Sequence, residues 1–196
     1  MIRVFLALAL LGCGVARAAE RDVEEAVGPA LVTIEVTRTQ YEYLQPWSRK
    51  VDQVTKNGVI IADRKILTTA DHLSNHTLVR LQKGRGRWFQ AEVTWIDYHA
   101  NLATITCSDA AFWKDTKPVE LAKTTPRRGT AQLVRWRNGI LEVRNMDITR
   151  LTVKRGKLTV MDHLHLELDS DMQGIGWAEA IVKDGELIAM TTSKDG

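Results

Sequence analysis

The chain has five histidines, and the acids near some of them are the first places to look for chemistry. His72 and His76 are four residues apart and would share a face of a helix. His163 and His165 are two apart and would share a face of a strand. Asp71, Asp162 and Glu167 lie close to these pairs in sequence. A structural or catalytic metal site needs three or four converging ligands. Pairs alone do not reach that number, so no metal and no cofactor is expected, although a metal-binding envelope protein stays open as an alternative. Ser170 lies between Asp169 and Asp171, a composition that favours a turn. A nucleophile needs a base within hydrogen-bond reach, and no spacing in the chain pairs Ser170 with His72. Six tryptophans are many for 196 residues. Most are expected to pack in a core or cap a barrel, while Trp47 and Trp177 are expected beside a cleft. Cys107 closes an apolar run and reads as a small buried hydrophobe.

These residues would be carried mostly by short strands. Val23, Ala26 and Val27 form a brief helical stripe that Pro29 ends. Ala30–Thr37 is rich in β-branched residues and reads as a strand. Tyr41–Lys56 mixes aromatics, Pro46 and charges, and reads as a long loop. Beyond Val59 short strands alternate with Gly-containing turns at Lys83-Gly84, Arg85-Gly86, Asn138-Gly139, Arg155-Gly156 and Asp184-Gly185. They include Lys65–Thr68, Trp88–Asp97, Ala131–Trp136, Lys157–Val160, His163–Leu168 and Ala178–Val182. This spacing predicts an all-β sandwich or barrel. Thr124-Thr-Pro-Arg-Arg-Gly129 is the best boundary between two halves of comparable size.

Met1-Ile-Arg3, the apolar stretch Val4–Val15 and Ala16-Arg-Ala18 have the form of a secretory leader with its cleavage site. A competing reading makes Cys13 the acylated residue of a lipoprotein box, Leu10-Leu-Gly-Cys13. Cleavage after Ala18 would remove Arg3 and Arg17 and lower the formal charge from +3 to +1. A near-neutral domain excludes a dedicated nucleic-acid binder, which is normally far more basic. The apolar stretch is too short to span a bilayer comfortably. If Cys13 leaves with the leader, Cys107 has no internal disulfide partner. The divisions expected are a leader over 1–18, an N-terminal segment and first barrel over 19–122, and a second barrel over 123–196. The protein would be exported to a bacterial periplasm or to the extracellular space.

The segment Asn57-Gly-Val-Ile-Ile-Ala-Asp-Arg-Lys-Ile-Leu-Thr-Thr-Ala-Asp-His-Leu73 resembles the stretch that delivers the catalytic histidine in trypsin-like serine peptidases of the HtrA (Deg) type. Val23-Glu-Glu-Ala-Val-Gly-Pro-Ala-Leu-Val-Thr-Ile34 resembles their opening helix, proline and strand. Asp97-Tyr-His-Ala-Asn-Leu-Ala103 resembles the D-x-x-x-D-L-A motif of the catalytic aspartate. Gly174-Ile-Gly-Trp-Ala-Glu-Ala-Ile-Val182, followed by Gly185-Glu-Leu-Ile-Ala-Met190, resembles G-N-S-G-G-P-L-V followed by G-E-L-I-G-I. The resemblance implies a trypsin-like pair of six-stranded barrels with a short N-terminal helix. Little sequence follows Thr192, so the closing element is expected to be absent or rearranged, and no peptide-binding PDZ domain is expected.

The same resemblance implies a degenerate triad. Asp71 stands at the histidine position, with His72 one place late. Asn101 stands at the aspartate position. Gly176, or Trp177 after a one-residue shift, stands at the serine position. Such a site lacks a hydroxyl nucleophile, a base of suitable pKa and a carboxylate to orient that base. The reading is an exported, inactive peptidase homologue that binds protein or peptide. Its rival is an active serine endopeptidase with a rearranged site, using His72 or Ser170.

Overall fold

β-branched and apolar residues recur through Leu31–Tyr41, and this segment forms β1, paired antiparallel with β2 (Arg49–Ile61) from Leu31↔Val59 to Tyr41↔Arg49. The computed structural model describes residues 22–170 and 172–192. The leader expected over 1–18, Cys13 and Asp171 lie outside them. Residues 22–27 are helical and run into a tight turn at Gly28–Ala30, with Pro29 at its start. No helix among the described residues is long and apolar enough to cross a membrane.

Four more strands complete the first unit: β3 (Lys65–Thr68), β4 (His76–Gln82), β5 (Trp88–Asp97) and β6 (Leu102–Thr106). They close a barrel in the order β1-β2-β3-β6-β5-β4, which leaves no open edge. The second unit comprises β7 (Gly129–Arg137), β8 (Ile140–Arg155), β9 (Asp162–Asp169), β10 (Trp177–Lys183) and β11 (Glu186–Thr192). Its order is β11-β10-β7-β8-β9, a five-stranded sheet among the described residues. The all-β, two-unit trypsin-like architecture expected from the sequence is the one observed.

Two local expectations fail. Tyr41–Lys56 is no long loop. Only 42–48 is a turn, and the strands on either side form one extended hairpin. Aromatics and Pro46 mark that turn, whereas the charged residues of Arg49–Lys56 obscure a strand held by its register with β1. Lys157–Val160 is a turn between β8 and β9 rather than a strand, because β8 continues to Arg155 and folds back at Gly156. There the amide of Gly156 donates to Met161 O at 2.9 Å.

The two units share a core. Ile34, Val59, Ile66 and Ile105 of the barrel belong to one buried cluster with Val134, Val143, Ala180 and Val182 of the second sheet. Trp136 packs against it and its Nε1 donates to Leu31 O at 3.1 Å. The connecting chain is tied to both sides. Val119 N donates to Ile60 O, and Leu187 N donates to Glu120 O. A smaller cluster of Ala131, Leu133, Met146, Ile148 and Ile181 belongs to the second sheet alone.

Gly58 marks how tightly the barrel is filled. A Cβ there would lie 2.6 Å from Ile34 Cδ1 and 2.8 Å from Ile66 Cγ2. Gly58→Val should therefore destabilise the protein by about 1–3 kcal/mol, as overpacked cores do. An unchanged urea midpoint for this variant would show that the barrel interior has room to spare.

Candidate functional site

The loop after β3 turns at residues 70–75, where the amide of Ala70 donates to Asn101 O at 3.2 Å. The side chain of Asn101 completes the join, its Oδ1 accepting from Asp71 N at 3.0 Å. Asn101 has φ +53, a left-handed conformation that asparagine tolerates better than most residues. Its Nδ2 is buried without a partner. Asn101 thus holds the backbone of the Asp71 loop through a neutral amide.

Lys56, on β2, holds the same loop from beneath. Only 2 % of it is exposed. Its Nζ donates to Thr69 O at 2.6 Å, Thr69 Oγ1 at 2.7 Å and Asp71 O at 2.8 Å. These three acceptors match the three N–H donors of an ammonium. Burial pushes the Lys56 ammonium down to about 7, with the Asp71 carboxylate opposing that shift and Lys157 adding to it. Asp71 itself is bound from the other unit, where Lys157 in the β8–β9 turn places Nζ 2.6 Å from Oδ2.

His72 follows with φ +64. Its Nε2 is 3.6 Å from Asp71 Oδ2, while its Nδ1 is buried without a partner. Burial lowers its pKa, the Asp71 carboxylate opposes this, and Arg38, Lys56 and Lys157 lower it further. Its ring stacks on Trp177, with centroids 5.4 Å apart and planes 22° from parallel. Asp71, Asn101 and Trp177 therefore gather at one place, Trp177 through its contact with His72.

The loop leading into β10 is organised by a residue the sequence reasoning passed over. Glu179 is only 1 % exposed. Its Oε2 accepts from Gly176 N at 3.0 Å, from Trp177 N at 2.9 Å and from Thr191 Oγ1. Its Oε1 is 3.4 Å from Nη1 of Arg135, itself buried and paired with Glu142. The two amides beside the expected nucleophile position thus face a carboxylate supplied by the same strand. Ala178, between Trp177 and Glu179, is buried at φ +59, a conformation uncommon for residues other than glycine. Asn57 stitches the units here, its Nδ2 donating to Trp177 O and its Oδ1 accepting from Trp136 N.

Other expected site residues lie elsewhere. Trp47 is 81 % exposed in the β1–β2 turn and does not border the cleft beside Trp177. Its neighbours Tyr43 and Leu44 project with it, so the aromatic signal marked a protruding hairpin. Ser170 Oγ accepts from Met172 N at 3.0 Å in the connection to β10, and no hydrogen bond joins it to His72 among the described residues. His72 and His76 do not share a helix, because His72 is in the turn and His76 opens β4, with Nδ1 2.8 Å from Leu73 O. His163 and His165 share a face of β9, and the Nε2 of each is buried without a partner. No group of three or more metal-ligating side chains is arranged to hold an ion among the described residues. Of the remaining tryptophans, Trp88 and Trp95 are exposed rather than packed. Cys107 is buried, its thiol donating to Gln90 O at 3.3 Å, and burial raises its pKa.

Lys56, Arg135 and Glu179 share a signal that could have found them. Each is a charged residue next to or inside an otherwise apolar strand run, as in Leu133-Val-Arg-Trp136 and Ala178-Glu-Ala-Ile-Val182. A buried charge needs partners, so such positions point to a network. Nothing in the sequence indicates that Lys157 reaches Asp71 across 86 positions.

No family model matches the chain. It is 27% identical over 143 residues to putative protease Do-like 13 of Arabidopsis thaliana, covering 72% of this chain and 28% of that protein. It is 32% identical over 79 residues to the chloroplastic putative protease Do-like 6 of the same plant, covering 40% of this chain and 36% of that one. The chain thus spans about a third of the length of these relatives. Among solved structures, the active form of the Rv3671c protease from M. tuberculosis superposes with a TM-score of 0.67 at 16% identity, over 89% of this chain and 75% of that one. The chain is thus similar in sequence to Do-like proteases, and its fold is the trypsin-like one.

The titration of Lys56 gives a test of this geometry. An unfolded lysine titrates at about 10.4. Between about 7 and that value the unfolded chain holds more protons than the folded one, so stability contributed by Lys56 rises with pH across the window. Lys56→Met should flatten the rise. Urea denaturation near pH 6 and near pH 9 should show a larger gain for the wild type than for the variant. Parallel profiles would mean that Lys56 is not the group responsible.

Proposed function

We propose that this chain is an exported, catalytically inactive trypsin-like homologue that acts as a protein- or peptide-binding module. The observation that carries this reading is the capture of the Gly176 and Trp177 amides by Glu179. Acyl transfer by such a domain requires amides directed at the oxygen that gains charge, and that term is usually a large one. Here an internal carboxylate occupies the amides beside the nucleophile position. Replacing it with a substrate oxygen would strand a buried charge, which is costly.

The other positions support the same conclusion. Asp71 is an ion-pair partner of Lys157 in place of a base. Asn101 supplies a neutral acceptor to a backbone amide. Gly176 has no side chain, and the Trp177 ring stacks on His72. Ser170, the alternative hydroxyl, is engaged with Met172. The rearranged-endopeptidase alternative therefore lacks an assembled nucleophile and base. Among the described residues no group of three or more ligating side chains supports the metal-binding alternative, which is left with pairs such as His163 and His165. Export rests on the leader-like sequence of residues 1–18.

Casein and an unfolded substrate should survive incubation with the protein as they survive buffer, and a fluorophosphonate probe should leave it unlabelled. Ser170→Ala should change neither result. Probe labelling that this substitution abolishes would overturn the inactive reading.

The triple replacement Asp71→His, Asn101→Asp and Gly176→Ser should also fail to give robust proteolysis. It restores three side chains and leaves Glu179 on the amides and Trp177 in the site. Vigorous casein digestion by that variant would mean that the amides are free to turn toward substrate.

A further inference from the structure

A cleft of ≈ 640 Å³ lined by residues of the barrel and of the second sheet has Trp177 in its wall. Its charge is lopsided. Arg85 and Arg137 border it, the cations Lys56 and Arg135 in its wall are buried and engaged by other groups, and its single acid, Glu179, is engaged by two amides, Thr191 and Arg135. Arg85 and Arg137 are exposed, and neither has a carboxylate partner among the described residues. Cations of one sign along a low-dielectric wall focus field lines into the space between them.

The rim is built rather than incidental. Two hairpin turns, one from each unit, interlock there. Gly84, at φ +52, abuts the Trp136 ring, where a Cβ would sit 3.3 Å from Cη2. Gly139, at φ +72, lies under Arg85, where a Cβ would sit 2.4 Å from Cγ. The lack of side chains at both glycines thus lets Arg85 lie across the opposing turn, with Trp136 beside it. Within the wall, Arg135 is 3 % exposed, and its Nη2 is buried without a partner. A planar guanidinium fork suits a carboxylate, and exposed indole faces suit the apolar groups between successive carboxylates. Trp88 and Trp177, both partly exposed, border the cleft, Trp88 with the Arg80 guanidinium over its ring and Trp177 stacked on His72.

We propose that this cleft binds extended acidic peptide segments. Their carboxylates pair with Arg85 and Arg137, and the intervening apolar side chains lie on Trp88, Trp136 and Trp177. The inference rests on the binding-module reading above and names the partner's chemistry. It is tested by fluorescence anisotropy with two labelled, capped peptides of equal length, one alternating glutamate and leucine, the other glutamine and leucine. The glutamate peptide should bind at least about tenfold more tightly, and the Arg85→Glu/Arg137→Glu double variant should lose that preference. Arg127→Glu, outside the cleft, should retain it, and thermal melts should confirm that both variants are folded. Equal binding of the two peptides, no binding by either, an undiminished preference in the double variant, or displacement by inorganic phosphate at concentrations equal to the peptide would each overturn the proposal. Mass spectrometry of the recovered peptide separates the two readings. An intact peptide that needs the two arginines supports both, whereas a cleaved one that needs them upholds the cleft and overturns inactivity.

Discussion

A buried ammonium organises one side of this molecule. Lys56 enters the interior from β2 and meets three oxygen acceptors, all supplied by the loop that follows β3. Without it the carbonyls of Thr69 and Asp71 would need other donors, and the loop would lose the anchor that sets its path. The path matters because Asp71 then faces Lys157 from the second unit, and His72 then reaches Trp177. Burying a charge is unfavourable unless every donor is met, and Lys56 satisfies that condition by drawing the loop around itself. The geometry of the whole junction follows from this arrangement.

Around the junction, several polar groups are paired within the protein. At each key place a group that could act on a substrate is directed inward. The β10 amides turn to Glu179, the Asp71 carboxylate to Lys157 and the His72 ring to an indole. Each replacement is a contact between parts of the protein, and several of them bridge the two units.

Most of the fold could be inferred from the sequence, because the strands carry turn signals at their ends and β-branched residues within. Lys65–Thr68 is an example, while His163–Leu168 is marked instead by leucines alternating with polar residues. The β1–β2 hairpin was missed because its second strand is charged, and its partner across the ladder, not its own composition, makes it a strand. The positions of Asp71 and Asn101 could be inferred from motif likeness. The partners they acquire could not. Lys157 acts through a contact that depends on how two distant segments fold together, and a linear pattern carries no term for that. Glu179, by contrast, turns back on amides two and three residues before it and is marked only as a charge inside an apolar run. Trp47 misled for a related reason, since an indole reads the same whether it lines a cleft or stands on a protruding turn.

The core that spans both units has a bearing on how the chain is made. Val134, Val143, Ala180 and Val182 fill space that the barrel residues Ile34, Val59 and Ile105 also line. A ribosome releases the barrel strands first, and the residues of β7, β8 and β10 that join their core emerge later. The nascent first half must therefore wait with part of its apolar interior uncovered, which is the condition under which holding factors engage a chain. The apolar residues that the two units share are therefore covered in full only once the last strands have arrived.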